Sequence, residues 1–204
     1  MGDFILPIAS DNQMSAYDEL YREYLDDRCL FFNAEVDGNV IEDYIMYIIK
    51  WNKEDRDIPV EKRRPIKIFV TSPGGSVFDA NIFVDIIETS KTPIWGIAMD
   101  LVASAALHIY LACHVRFSFK NSAFLQHDGE IAIDNSRKKA KDTMRFFDEG
   151  EERLKQHILS HTNMTEEFYD SIYSDEFWFY AKQAKELGVV HKIIGEDVDL
   201  IDVI

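Results

Sequence analysis

The chain has 204 residues, of which 47% are hydrophobic and 13% aromatic, enough for one domain with a substantial core. Its formal net charge of −15 argues against a nucleic-acid partner, because phosphate contacts need clustered lysine and arginine. No apolar run approaches ~18 residues, and the N-terminus lacks a basic region followed by an apolar stretch. We therefore expect a cytoplasmic protein with no membrane span and no signal peptide.

The first part of the chain predicts an N-terminal arm followed by a helix. Residues 1–14 show no long period, whereas residues 16–27 carry apolar side chains at helical spacing. We divide the chain into an N-terminal arm and helix, residues 1–27, and a main domain, residues 28–204. The next predicted elements are a strand at 29–32, a helix at 40–51 and a solvated loop at 52–64.

A glycine corner follows the next predicted strand, residues 66–71. The corner reads Ser72-Pro73-Gly74-Gly75-Ser76. The two glycines can take a positive φ and have no Cβ to block a substrate that approaches their amides. Such a corner can direct a backbone N–H at developing negative charge. Ser76 is placed as an N-cap with Asp79 three residues later, so a helix is expected to start beside the glycines.

Ser104 and His127 lie near the ends of predicted strands. A strand at 93–99 is expected to end near residue 100, and an apolar helix at 102–113 contains Ser104. Strands at 115–119 and 123–126 follow, and the second leads into His127. Alone, Ser104 is explained as a small residue in a packed helix, and His127 as a hydrogen-bonded structural residue. Together with the glycine corner they favour a catalytic site, because sites form at strand ends and a helix N-terminus stabilises an anion.

The C-terminal third is predicted to be mostly helical. The longest element is a helix over about residues 133–160, interrupted by Gly150. Its His157 and His161 share one face, as zinc ligands do, but no glutamate lies between them. Cys29 and Cys113 lack metal-ligand spacing and are expected to be buried free thiols. We therefore expect no metal and no cofactor.

The later elements complete an alternation of strands and helices. They are a short helix at 165–173, another at 181–187 and a last strand at 189–194. Strands alternating with helices predict right-handed crossovers and a mainly parallel sheet. The fold class is therefore α/β.

Four segments together resemble the proteolytic subunit of the Clp protease, ClpP, and its relatives. They are the glycine corner at 72–76, residues 99–106 around Ser104, residues 121–127 ending at His127, and residues 184–190. The resemblance covers roughly residues 28–194. It implies a ClpP/crotonase-like spiral of βαβ units, in which the helix at 133–160 is the handle where two rings meet.

The resemblance also implies roles for individual residues. Ser104 is the nucleophile of a serine endopeptidase, His127 is the general base, and the amides of Gly75 and Ala105 form the oxyanion hole. The substrate is an unfolded polypeptide, expected to bind along Gly74, Gly75, Ser76 and Val77. The implied partners are copies of the same chain in heptameric rings, stacked in pairs, and a Clp ATPase that feeds the substrate.

The resemblance leaves two acids as candidates for the third member of the triad. Aligned without gaps, the family's aspartate position falls on Glu176, with Asp175 just before it. We prefer Glu176 over Asp175. Without the resemblance, this acidic pair is better explained as a solvated turn.

Two departures keep other functions open. Residues 128–130 differ from the family pattern after the histidine, and Glu176 replaces an aspartate. A non-catalytic ClpP-like scaffold or regulatory subunit is therefore the alternative function. A crotonase-type acyl-CoA enzyme would share the spiral core but would not require the serine and histidine pair.

Overall fold

The computed structural model describes residues 15–129 and 136–204. The predicted arm at 1–14 and the predicted first residues of the long helix, 133–135, lie outside the described residues. The helices are α1 (Ala16–Asp26), α2 (Met46–Glu54), α3 (Val77–Thr89), α4 (Ala105–Ala112), α5 (Arg137–His161), α6 (Glu166–Ile172) and α7 (Ala181–Glu186). The strands are β1 (Cys29–Phe32), β2 (Ile66–Ser72), β3 (Ile94–Ala103), β4 (Val115–Phe119), β5 (Ala123–Gln126), β6 (Phe177–Tyr180) and β7 (Lys192–Ile194).

The sheet is mainly parallel, as the alternating pattern predicts. Its order is β1-β2-β3-β4-β7, with β5 paired to β3 and β6 paired to β5. Only the β5–β6 pair is antiparallel among the pairs of named strands in the described parts of the chain. The carboxyl ends of β2 and β3 therefore meet at one edge, where sites of α/β proteins form.

Strand β3 pairs with two different strands on the same side. It pairs with β4 over its first half, Trp95 to Ala98, and with β5 over its last three residues, Leu101 to Ala103. The register with β2 shifts between Val70 and Ser72, and Met99 and Asp100 are exposed there. The predicted end of this strand near residue 100 is therefore wrong. The polar break at Asp100 marks an irregularity within the strand, and pairing with β5 extends it to Ala103.

Several other elements differ from the prediction. The loop predicted at 52–64 is not solvated throughout, because α2 runs to Glu54 and Asp55 is buried. The helix predicted at 102–113 begins only at Ala105, and the last strand, predicted at 189–194, covers Lys192–Ile194. Helix α5 is continuous from Arg137 to His161. Gly150 does not end it, because one glycine inside a helix costs only about 1 kcal/mol. Strand β6 was not predicted, because its partner β5 lies about 50 residues earlier. The helix predicted at 40–51 is a π-helical turn, Ile41–Ile45, continued by α2.

The core lies between the sheet and the helices, and α4 is its most buried helix. All eight residues of α4 are buried. Both cysteines are free and buried, as predicted. In the described ranges, no helix is long and apolar enough to cross a membrane.

Arg116 of β4 is a buried cation that holds several chain segments together. Its side chain is 5% exposed and donates hydrogen bonds to five backbone carbonyl oxygens. The acceptors are Leu111, Cys113, His161, Gly188 and Val189. They include the ends of α4 and α5, where the helix dipole favours a positive charge.

A second buried charge pair fixes the start of β1. Asp55, 2% exposed, accepts two hydrogen bonds from Arg28 at 2.6 and 2.8 Å and one from Thr92 at 2.9 Å. The Arg28 guanidinium holds the pKa of the Asp55 carboxyl below its usual value, and the Thr92 hydroxyl adds to this effect. Asp55 thus connects the end of α2 to the residues just before β1 and just before β3, the two strands that flank β2.

Replacing Asp55 by asparagine should lower the free energy of unfolding by about 3 kcal/mol at pH 7, because Arg28 would keep a buried charge without its partner. The folded-state pKa of Asp55 is depressed, so its stabilising effect is present above about pH 4 and is lost as pH falls through the folded value. Urea denaturation should show the difference between the two proteins shrinking below pH 4. Asp57→Asn, at an exposed ion pair, is the control and should cost less than about 1 kcal/mol.

Candidate active site

Ser104 occupies a strained turn between β3 and α4. Its φ of 53° and ψ of −128° lie in a region that residues other than glycine rarely adopt. Such strain costs about 1–3 kcal/mol and persists where the surroundings impose it. The Ser104 N–H donates to the Leu125 carbonyl at 3.0 Å, which fixes the corner against β5. A serine on a sharp strand-to-helix turn of this kind presents its hydroxyl above the sheet, as nucleophilic serines do.

The glycine corner after β2 packs directly against Ser104. A Cβ at Gly74 would stand 2.7 Å from the Ser104 Cβ and 2.8 Å from the Ala103 carbonyl oxygen. Gly74 also has a φ of 96°, which L side chains rarely adopt. Only glycine allows the two corners to approach this closely.

Gly75 is held against the chain just after β1. A parallel bridge joins it to Val36, which donates to the Gly74 carbonyl and accepts from the Ser76 amide, each at 2.8 Å. The Gly75 N–H itself has no hydrogen-bond partner among residues 15–129 and 136–204. Ala105 is the first residue of α4, where a backbone N–H has no partner within its helix. Among the described residues, Ala105 thus follows Ser104 directly, and Gly75 follows the glycine that packs on Ser104.

The other predicted substrate-binding residues begin α3. The Ser76 side chain accepts from the Asp79 N–H at 3.3 Å, which confirms the predicted N-cap. Val77 follows as the first helical residue and is 36% exposed. Residues 74–77 therefore form one continuous segment from the glycine corner into the helix.

His127 follows β5 directly and is half-buried. Because Ser104 bonds to Leu125, two residues before His127, the strand carries the histidine to the neighbourhood of the serine. No hydrogen bond joins the Ser104 hydroxyl to the His127 ring, although both residues are described. Ser104 and His127 thus lie at the same edge of the sheet, but their side chains are not hydrogen-bonded to each other.

The register of β5 with β6 places Glu176 beside His127. Gln126 pairs with Phe177, so the next position outward on each strand is His127 on one side and Glu176 on the other. The Glu176 carboxylate instead accepts from the Trp178 indole N–H at 3.2 Å. Neither Glu176 nor Asp175 forms an ion pair with His127, and both acids are exposed. The register sets Glu176, rather than Asp175, across from His127.

Sequence analysis missed a buried histidine one turn beyond Ser104. His108 is 6% exposed, and its Nδ1 has no hydrogen-bond partner within the described ranges. Burial, aided by His157 and His127, lowers the pKa of His108 to about 3, so the ring is neutral. The only signal in the sequence is its i+4 spacing from Ser104 in an otherwise apolar helix.

A positive-φ serine, a histidine and the glycine corner thus lie at one edge of an α/β sheet, which is the arrangement expected of a serine hydrolase. The model of the Clp protease family matches residues 11–197. The chain therefore belongs to the Clp protease family, and the predicted family and α/β fold are confirmed.

Individual relatives agree with this assignment. The chain is 25% identical over 182 residues to ATP-dependent Clp protease proteolytic subunit 2 of Treponema pallidum, covering 88% of each protein. It is 29% identical over 177 residues to the protein of the same name from Pseudomonas aeruginosa, covering 85% of this chain and 84% of that one. A solved structure of a ClpP1 mutant from Listeria monocytogenes superposes with a TM-score of 0.71 at 26% identity, covering 86% of this chain and 95% of that chain.

Substituting alanine for Gly74 should break the contact between the two corners. The new Cβ would overlap Ser104 and Ala103 and would require an unfavourable φ, so we expect a loss of about 2–4 kcal/mol in the free energy of unfolding. Urea denaturation measures this loss. Gly38→Ala is the matched control, since a Cβ there meets nothing within 4 Å, and it should be nearly neutral. Equal stabilities of the two variants would contradict the proposed packing.

Proposed function

We propose that this chain is the proteolytic subunit of a Clp-type serine endopeptidase. The observation that carries the proposal is the strained Ser104 corner packed against Gly74, which is followed by a Gly75 amide without a hydrogen-bond partner in the described residues. A fold holds a non-glycine residue at this φ only when surrounding contacts impose it, and such strain clusters at active sites. The family membership supports the same function.

In the proposed reaction, the Ser104 hydroxyl attacks the carbonyl carbon of a peptide bond while His127 takes its proton. The Gly75 and Ala105 amides donate to the resulting oxyanion. His127 then returns the proton to the leaving amine, and water releases the acyl group from the serine in a second step. Residues 74–77 lie where an extended substrate would add its backbone beside the glycine corner.

The acid of the triad is proposed to be Glu176. It is one methylene longer than aspartate, and its position across from His127 follows from the β5–β6 register. To anchor the imidazole, the Glu176 carboxylate must give up its hydrogen bond with the Trp178 indole, and the His127 ring must turn toward Ser104. We infer that this closure accompanies assembly or substrate binding.

The proposed assembly is a pair of stacked heptameric rings that receives unfolded chains from a partner Clp ATPase. Relatives carry the words ATP-dependent and proteolytic subunit in their names. Exposed apolar side chains support association of this chain with other copies. On α5 they include Met144 and Phe146, and Phe146 stacks on Phe78 of α3.

The alternative is a ClpP-like scaffold without turnover. Two observations on the described residues favour it: no hydrogen bond joins the Ser104 hydroxyl to the His127 ring, and Glu176 accepts a hydrogen bond from Trp178 instead. The two functions differ in whether the serine is reactive, which an active-site probe measures directly.

A fluorophosphonate probe should label the wild-type chain and fail to label Ser104→Ala, because the probe reacts with an activated serine hydroxyl. The substitution removes one oxygen from a half-buried residue, so assembly measured by light scattering should persist. Ser171→Ala, at an exposed serine of α6, is the control and should label normally. Absence of labelling in a fully assembled wild type would support the scaffold function.

Glu176→Ala should reduce kcat for a small peptide ester by about 10⁴-fold, the effect expected when a triad imidazole loses its anchor and tautomer control. Asp175→Ala should then be mild, which makes it the matched control. The reverse result would transfer the role to Asp175. If the wild type is silent and Glu176→Asp gains labelling, the chain is a scaffold whose chemistry was lost at this position.

A further inference from the structure

Three metal-ligand side chains converge at the ends of two helices, away from Ser104. Glu88 is the penultimate residue of α3, and His157 and His161 lie one turn apart near the end of α5. The Glu88 Oε1 lies 3.3 Å from His157 Nδ1 and 3.5 Å from His161 Nε2. All three ligand atoms lie within 4.8 Å of one another. We name these three residues the α3–α5 cluster.

The hydrogen bonds of the two histidines fix where their protons sit. His157 Nε2 lies 3.0 Å from the His108 carbonyl oxygen, and His161 Nδ1 lies 2.8 Å from the His157 carbonyl oxygen. A carbonyl oxygen only accepts, so each of these nitrogens carries the proton of its ring. The Ser160 hydroxyl, 3.1 Å from His161 Nδ1, agrees with this assignment because it donates its own proton to the His157 carbonyl. In a neutral imidazole the opposite nitrogen is then a bare lone pair. His157 Nδ1 and His161 Nε2 are those opposite nitrogens, and both face Glu88.

The lone pairs of these two nitrogens and of the Glu88 carboxylate therefore face the space between the three side chains. Two imidazole lone pairs and a carboxylate repel one another unless a positive charge lies between them. The cluster also lies at the C-terminal ends of α3 and α5, where helix dipoles favour a cation.

The geometry suits a first-row divalent cation. Zinc bonds to imidazole nitrogen and carboxylate oxygen of about 2.0–2.1 Å give tetrahedral edges of about 3.3 Å, close to the two measured separations. The carbonyl acceptors behind both rings are the outer partners that metal-binding histidines usually have. Glu88 is 40% exposed, which leaves room for a water as fourth ligand.

We propose that Glu88, His157 and His161 form a binding site for a divalent cation of the zinc class. The bound cation would join the end of α3, which starts at the glycine corner, to the end of α5. Through the bond of His157 to His108 it would also hold α4, the helix that follows Ser104. The proposed role is to stabilise these helices and is independent of whether the peptidase is active.

The test uses the full-length chain, stripped of metal with a chelator and dialysed. Titration with Zn²⁺ against a chromophoric competitor should give one tight site per chain, and Co²⁺ should give the visible absorption of a tetrahedral site. Zn²⁺ should also raise the melting temperature, because it binds the folded state. None of these measurements depends on peptide hydrolysis.

Two variants locate the site. Glu88→Gln and His161→Ala should each weaken Zn²⁺ binding at least tenfold and remove the rise in melting temperature, since each loses one ligand. Glu167→Gln, at an exposed glutamate of α6 that forms no ion pair in the described ranges, is the matched control and should bind as the wild type does. Circular dichroism of the isosteric Glu88→Gln variant checks that the fold is kept.

Two results would overturn the proposal. If the wild type takes up no tight Zn²⁺, the cluster is a shared-proton pair between Glu88 and a charged histidine. If Zn²⁺ binds equally well to Glu88→Gln and His161→Ala, the ion sits on other histidines of the chain.

Discussion

Gly74 lies so close to Ser104 that a Cβ at position 74 would stand 2.7 Å from the serine Cβ. This approach places the ends of β2 and β3 against each other and sets the glycine corner beside Ser104. Ser104 takes a strained φ there, because the chain turns sharply between a strand that pairs with β5 and a buried helix. The proposed oxyanion site and the start of α3 both depend on this one contact between two backbone corners.

Arg116 holds the C-terminal ends of α4 and α5. Five backbone carbonyl oxygens accept hydrogen bonds from its guanidinium in place of water, and no carboxylate pairs with it within the described ranges. A buried cation is tolerated only when its donors are satisfied in this way. Because one acceptor is the His161 carbonyl, the arginine also fixes the end of α5 that carries the α3–α5 cluster. The Ser104 corner and the cluster also share α4, because the corner precedes its first residue and His157 of the cluster contacts the His108 carbonyl.

The choice of the acid proposed for the triad depends on contacts between segments that are distant in the sequence. Counting along the chain reached Glu176 and Asp175, but a choice between them depends on the pairing of β5 with β6. That pairing joins segments about 50 residues apart, and the apolar run of β6 gives no sign of its partner. The same limit applies to Glu88, since the face shared by His157 and His161 is readable in the sequence while the third ligand comes from another helix.

The sequence by itself determined the α/β class, most of the order of strands and helices, the glycine corner, and the candidate pair Ser104 and His127, because periodicity, turn residues and spacing are local properties. It did not show strand β6. It also located the N-cap at Ser76. Tertiary structure alone decided that β3 runs on to Ala103, that Ser104 takes a positive φ, that Glu176 faces His127 in the register, and that Glu88 meets two histidines. Each of these depends on contacts between distant segments, whose geometry is set by packing of the whole domain.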